Sequence, residues 1–192
     1  MNTFEVEMKF RIREGSIAEF ERRLRQRFGG GAFGDPVTES DSFFQHPCRD
    51  FVQTDECLRL RHCHFADGSS SYFLTYKGPR IDTRTKTRQE LEMPMAEPEV
   101  CESLLVALGF RKVASVRKLR RRMELTLEQR RVTIVLDTLP DLPESARHFI
   151  EMETIATKED LDECRSLLFR IAEQLDLSEP IRDSYLKLVH GW

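Results

Sequence analysis

Glu5, Glu7 and Lys9 alternate along the opening segment Phe4-Glu5-Val6-Glu7-Met8-Lys9-Phe10. In an extended strand successive side chains point to opposite faces, so these three reach one side while Val6, Met8 and Phe10 take the other. The spacing recurs. Arg59 and Arg61 flank Leu60, Lys118 and Arg120 flank Leu119, and Glu151 and Glu153 flank Met152. Arg88, Glu90 and Glu92 interleave with Gln89 and Leu91. One such strand is ordinarily a solvated face. Five of them, with both signs beside apolar neighbours, describe a sheet with one charged face and one apolar face. Curled into a barrel, that sheet would enclose the charges and leave its apolar side for helices to cover. Crowded carboxylates repel one another unless cations neutralise them, and carboxylate oxygens are the donors that Mg²⁺ and Mn²⁺ prefer. Arg forks and Lys point charges suit phosphate. Acids at Glu5, Glu7, Glu90, Glu92, Asp137, Glu151 and Glu153, with cations at Lys9, Arg59, Arg61, Lys77, Lys118 and Arg120, therefore describe a polyphosphate site.

The remaining elements have to position these strands. The first strand, roughly 3–13, breaks at Gly15. Ser16 is a good helix N-cap, and Ile17, Phe20, Leu24 and Phe28 recur at helical spacing until Gly29-Gly30-Gly31. Residues 35–50 read as strand and turn. Strands over 57–65 and 72–76 are separated by the turn Ala66-Asp67-Gly68-Ser69. A strand over 87–93 precedes a helix over about 97–108, whose Val100, Leu104, Leu105 and Leu108 share a face. Residues 114–127 and 131–138 read as a hairpin and 148–155 as a further strand. Thr157 with Asp160 resembles a capping box for a helix carrying Leu161, Cys164, Leu168, Ile171 and Leu175. Pro180 opens a short C-terminal helix through Tyr185 and Leu188.

A chain of 192 residues with 33% charged side chains suits one domain over 1–192 with a polar-lined interior. A net charge of −3 offers no global attraction to nucleic acid or anionic membrane, so any anion site is a local concentration of cations. The run Arg117-Lys118-Leu119-Arg120-Arg121-Arg122 also reads as a basic surface patch. Five scattered cysteines without a CxxC pair fit reduced thiols, and no apolar run reaches the length of a membrane span, so a cytoplasmic protein is expected.

The opening EVEMK is similar to the ExExK motif of the CYTH superfamily, the triphosphate tunnel metalloenzymes. The resemblance continues in order through Asp41–Phe51, Thr54–Arg61, Tyr76-Lys77-Gly78-Pro79 and Arg88-Gln89-Glu90-Leu91-Glu92. It ends with Lys118-Leu119-Arg120, Leu136-Asp137, Ile150–Glu153 and Ser184-Tyr185, spanning nearly the whole chain. It implies an α+β fold: a closed antiparallel eight-stranded β-barrel with helices packed on the outside and a triphosphate in the tunnel. It further implies Mg²⁺ or Mn²⁺ held by Glu5, Glu7, Glu151 and Glu153 with Asp137 supporting. Lys9, Arg59, Arg61, Lys77, Lys118 and Arg120 would bind phosphate, Lys77 and Arg61 would be catalytic, and Arg88, Glu90 and Glu92 would line the tunnel.

The activity so implied resembles class IV adenylyl cyclase, converting ATP to cyclic AMP and pyrophosphate. The alternative is a phosphohydrolase acting on tripolyphosphate or an organic triphosphate such as thiamine triphosphate. A non-catalytic polyphosphate-binding module comes third, because anion capture gains nothing from acidic walls. The expected partner is the triphosphate substrate, without nucleic acid or membrane; dimers occur in the family, so a homodimer is within its range. Two positions depart from the family's patterns. Phe43 stands where thiamine triphosphatases carry a Tyr, and 139–147, with Pro140 and Pro143, is longer than the Leu-Gly turn of cyclase-like members.

Overall fold

Alternation sorts the strands into an inward charged set and an outward apolar set, and the sheet closes around the charged one. In the computed structural model, which describes residues 3–29, 31–82 and 84–191, eight strands form a closed antiparallel barrel. They are β1 (Phe4–Ile12), β2 (Val37–Gln45), β3 (Cys57–His64), β4 (Ser70–Lys77), β5 (Arg88–Met95), β6 (Arg111–Leu127), β7 (Arg130–Thr138) and β8 (His148–Ala156). Their order around the barrel is β1-β5-β4-β3-β2-β6-β7-β8, so the first and last strands are neighbours. The helices are α1 (Ile17–Phe28), α2 (Phe51–Thr54), α3 (Pro98–Ala107), α4 (Leu161–Gln174) and α5 (Tyr185–His190). None of the described helices is long and apolar enough to cross a membrane.

The main apolar core lies outside the barrel. Val6, Met8 and Phe10 of β1, Val132, Ile134 and Leu136 of β7, and Ile150 and Met152 of β8 pack against α1 and α4. Phe20 and Leu24 supply the α1 side, and Leu167, Leu168, Ile171 and Leu175 the α4 side. A second cluster sets Cys101 and Leu105 of α3 against Phe44, Leu58 and Leu60. A third joins Phe43, Val116, Leu139 and Phe149 to Tyr185, Leu186, Leu188 and Val189. Phe43, Val116 and Phe149 share the strand parity of the charged residues, so at that end the inward positions turn apolar and α5 seals them.

One seam is closed differently. β1 registers with β8 from Phe4↔Ala156 to Ile12↔His148, but with β5 only at Phe4↔Gln89 and Glu5↔Arg88. The loop between β4 and β5 takes the missing strand's place, its Lys86 N–H donating to the Glu7 carbonyl at 3.0 Å. Asp82 holds that loop. Its carboxylate accepts from the Thr85 hydroxyl at 2.6 Å and the Arg84 N–H at 2.5 Å, and pairs with Arg165 of α4 at 2.6 Å.

Element boundaries differ from the sequence reading where caps compete. Residues 51–54 form α2, because the Asp50 carboxylate accepts the Val52 N–H at 2.9 Å. Asp160 is itself the N-cap of α4 rather than the third helical residue, and accepts the Thr157 N–H at 2.6 Å. The last helix starts after Ser184, whose hydroxyl accepts from Lys187 N–H, rather than at Pro180. Gly29 ends α1 in the left-handed region at φ 61°; Gly30 lies outside the described residues.

Asp82→Ala leaves buried loop donors unmet at a cost of about 1–3 kcal/mol. Hydrogen exchange is expected to quicken about tenfold or more at the Lys86 and Ile81 amides, with β7 amides unchanged. Unchanged exchange at Lys86 would show that the loop does not depend on Asp82.

Candidate functional site

The inward positions enclose a cavity of about 480 Å³. Glu5, Glu7 and Lys9 of β1, Arg59 and Arg61 of β3, and Lys77 of β4 all line it. So do Arg88, Glu90 and Glu92 of β5, Lys118 and Arg120 of β6, and Glu151 and Glu153 of β8. Every site residue expected from the sequence is on this wall except Asp137. Twelve cationic and ten acidic side chains line the cavity, so its wall favours an anion although the chain's net charge is −3.

One side is a cation cluster built on two acids. Arg61 donates to both Asp41 oxygens at 2.7 and 2.9 Å and lies 3.0 Å from Glu39. Lys118 reaches Glu39 and Asp41, each at 2.9 Å. Burial pushes the Asp41 carboxyl up, but Lys118, Arg61 and Arg59 outweigh it and hold it well below the usual range. Glu39 behaves likewise under Arg120, Lys118 and Arg61. Neither acid was read as a site residue. Their period-two signal was hidden because Thr38, Ser40 and Ser42 between them are polar, leaving no two-sided pattern.

The other side carries the paired glutamates. Lys77 Nζ bridges Glu5 at 2.8 Å and Glu90 at 2.6 Å. Burial alone would lower this lysine, yet Glu5 and Glu90 raise it above its ordinary value. Lys86, also unread in the sequence, pairs with Glu7 at 2.8 Å, and Lys9 with Glu151 at 3.3 Å. Lys9 is pushed down to about 7 by burial and by Lys86. Across β1 and β8, Glu7 stands opposite Glu153. Burial and the Glu5 charge push Glu153 up to about 8, and no ion pair joins it among the described residues. Oxygen donors with an uncompensated member suit a hard divalent cation. Among the described residues no three acids, His or Cys are already drawn into one cluster, because lysines and Arg120 sit between them.

Asp137 lies behind the wall, fully buried. Arg120 Nε donates to one of its oxygens at 2.8 Å, and the Tyr185 hydroxyl to the other at 2.8 Å. Arg120 also reaches Glu151 at 2.6 Å. Tyr185 carries Lys9 Nζ over its ring at 3.6 Å. Arg88 has no acid partner among the described residues, and its Nε is buried without a hydrogen bond. The basic run splits by parity: Lys118, Arg120 and Arg122 line the cavity, while Arg117 pairs with Asp141 at 3.6 Å and Arg121 with Glu21 at 2.9 Å. It is not a surface patch.

The CYTH domain profile matches residues 3–185. A Methanocaldococcus jannaschii protein named as a candidate adenylate cyclase is 31% identical over 188 residues, covering 96% of this chain and 97% of that one. A solved Pyrococcus horikoshii protein superposes with a TM-score of 0.81 at 37% identity, over 96% of this chain and 97% of the other. A Hippeastrum protein described as a candidate adenylyl cyclase with a dominant triphosphatase activity shares the fold, with a TM-score of 0.64 at 15% identity over 97% and 95% of the chains.

A carboxyl raised in the folded state penalises folding once it ionises. The Glu153 penalty is absent below its ordinary 4.5, grows through the interval to about 8 and is complete above it. In chelator-treated buffer at pH 8–9, Glu153→Gln is expected to raise the melting temperature by about 2–4 °C for each ~1 kcal/mol of penalty relieved, with little change at pH 4. An equal shift at both pH values would contradict this ionisation.

Proposed function

The chain belongs to the CYTH family, and from that premise we propose that it is a divalent-metal-dependent enzyme acting on a triphosphate held in the barrel. The observation that carries the reading is the shared cavity, in which the glutamates of β1 and β8 face the cations of β3, β4 and β6. A binding module would be weakened by those acids; a metal-using enzyme needs them. Glu5, Glu7, Glu151 and Glu153 would hold Mg²⁺ or Mn²⁺, which when bound polarises phosphoryl oxygens. Asp137, with its oxygens taken by Arg120 and Tyr185, supports the wall rather than the ion.

Phosphoryl and nucleotidyl transfer depend on positioning and on neutralising charge as it develops. Arg59, Arg61, Lys118 and Arg120 hold the phosphate chain and spread its charge. Lys77, between Glu5 and Glu90, stays protonated and exchanges those carboxylates for phosphate oxygens when substrate enters. Arg88, which lines the cavity without an ion pair among the described residues, meets the incoming anion without breaking one. In the preferred reading the substrate is ATP: the ribose 3′-oxygen attacks the α-phosphorus, forming cyclic AMP and releasing pyrophosphate. The curated relative's name supports this reading. Hydrolysis of a tripolyphosphate or organic triphosphate is the second reading, favoured by a lining that is mostly charged and grips phosphate rather than a base. Phe43, packed with Val116 and Phe149, supplies no hydroxyl to the tunnel, so thiamine triphosphate is expected to be a poor substrate.

Incubation with ATP and Mn²⁺ is expected to yield cyclic AMP with pyrophosphate, and Lys77→Ala to reduce turnover roughly a hundredfold or more. ADP with phosphate as sole products would select the second reading. Undiminished activity of Lys77→Ala would remove Lys77 from the machinery.

A further inference from the structure

The outer face of β3 changes character along its length. Leu58 and Leu60 pack with Phe44 against α3, but the next two outward positions are His62 and His64. Residues two apart on a strand share a face, so both imidazoles leave the wall on the side away from the tunnel. Their cross-strand neighbours are Tyr72 and Ser70 of β4 on one side, and Ser40 and Thr38 of β2 on the other. His62 stacks on Tyr72 with ring centroids 4.5 Å apart, which fixes the plane of its ring.

Both imidazoles turn toward one atom. His62 Nε2 lies 3.0 Å from the Ser70 hydroxyl oxygen, and His64 Nδ1 lies 3.4 Å from the same oxygen. A hydroxyl carries a single hydrogen, so it can satisfy the lone pair of only one of two facing nitrogens. A metal ion between them satisfies both. Imidazole nitrogen suits Zn²⁺, Ni²⁺ and Cu²⁺, with Zn–N bonds of about 2.0–2.1 Å. Rings sharing a tetrahedral ion at that bond length stand roughly 5 Å apart. Here the centroids are 6.2 Å apart, so modest side-chain rotations close the site, and His64 is exposed and free to make them.

We propose that His62 and His64 hold a late first-row divalent ion such as Zn²⁺ on the outer wall of the barrel, beside the Ser70 hydroxyl. No third His, Cys, Asp or Glu completes the group among the described residues, so water fills the remaining positions and the ion stays exchangeable. This site differs in kind from the tunnel, whose glutamates offer hard oxygen donors. It clips the β3–β4 hairpin, whose residues Arg59, Arg61 and Lys77 line the tunnel.

Titration calorimetry with Ni²⁺ in excess Mg²⁺ tests the pair. The wild type is expected to bind one Ni²⁺ more than the His62→Ala/His64→Ala variant, whose substitutions on the outer wall should leave the far-ultraviolet spectrum unchanged. His64→Ala alone should weaken that ion by at least the roughly tenfold that losing a mere outer-shell partner costs a metal site. Substoichiometric Ni²⁺ should broaden the wild-type amide resonances of 61–65 and 69–73 before those of β1. Equal stoichiometry and affinity in the wild type and the folded double variant would overturn the site. Broadening that begins at β1, or undiminished affinity in His64→Ala, would overturn it as well.

Discussion

Charges of both signs face one another inside this barrel, and the structure depends on their mutual compensation. Removing an ion from water costs several kcal/mol even after relaxation, and a buried partner offsets that only when it is close and well aligned. Asp41 meets this demand with Arg61, Lys118 and Arg59; Glu39 with Arg61, Lys118 and Arg122; Glu90 with Lys77 and Arg59. Two acids fall short: burial raises the Glu5 carboxyl despite Lys77, and burial with the Glu5 charge pushes Glu153 up to about 8. The wall is thus balanced nearly everywhere, with a slight cationic excess and a local acidic deficit of partners. Such a surface accepts an anion and a cation together more readily than either alone.

Because the interior is charged, the apolar core has to lie elsewhere. Each inward glutamate or lysine on β1 and β8 alternates with an outward Val6, Met8, Phe10, Ile150 or Met152, and α1 and α4 cover those. One strand thereby builds the site on one face and anchors the fold on the other. This also explains why closure needs the β4–β5 loop. A polar seam between β1 and β5 admits a lysine such as Lys86, paired to Glu7, where an apolar core would exclude it.

What could be read in the sequence was whatever has a strict period. β1, β3, β5, β6 and β8 carry alternating charges next to apolar neighbours, and each lines the cavity as read. β2 does not advertise itself, since Glu39, Asp41 and Phe43 alternate with Thr38, Ser40 and Ser42; polar residues on both faces erase the contrast. Lys86 was hidden for another reason. It sits in a loop, where its direction is set by Asp82 and by the Glu7 carbonyl rather than by any repeat. Helix starts were misplaced by a few residues where two capping side chains competed, as with Thr157 and Asp160. The placement of Asp137 behind Arg120 follows from tertiary packing of Tyr185, which no local pattern encodes.

The central claim is that this balanced wall holds a triphosphate chain through its β3 and β6 cations. Calorimetric titration with a non-hydrolysable imido analogue of tripolyphosphate, in Mg²⁺, tests it without reference to which reaction follows. The account predicts one analogue bound per chain, with affinity falling about tenfold or more in Lys118→Met, which removes a buried charge from the cavity wall. An absence of binding by the wild type, or equal binding by a folded Lys118→Met variant, would contradict it.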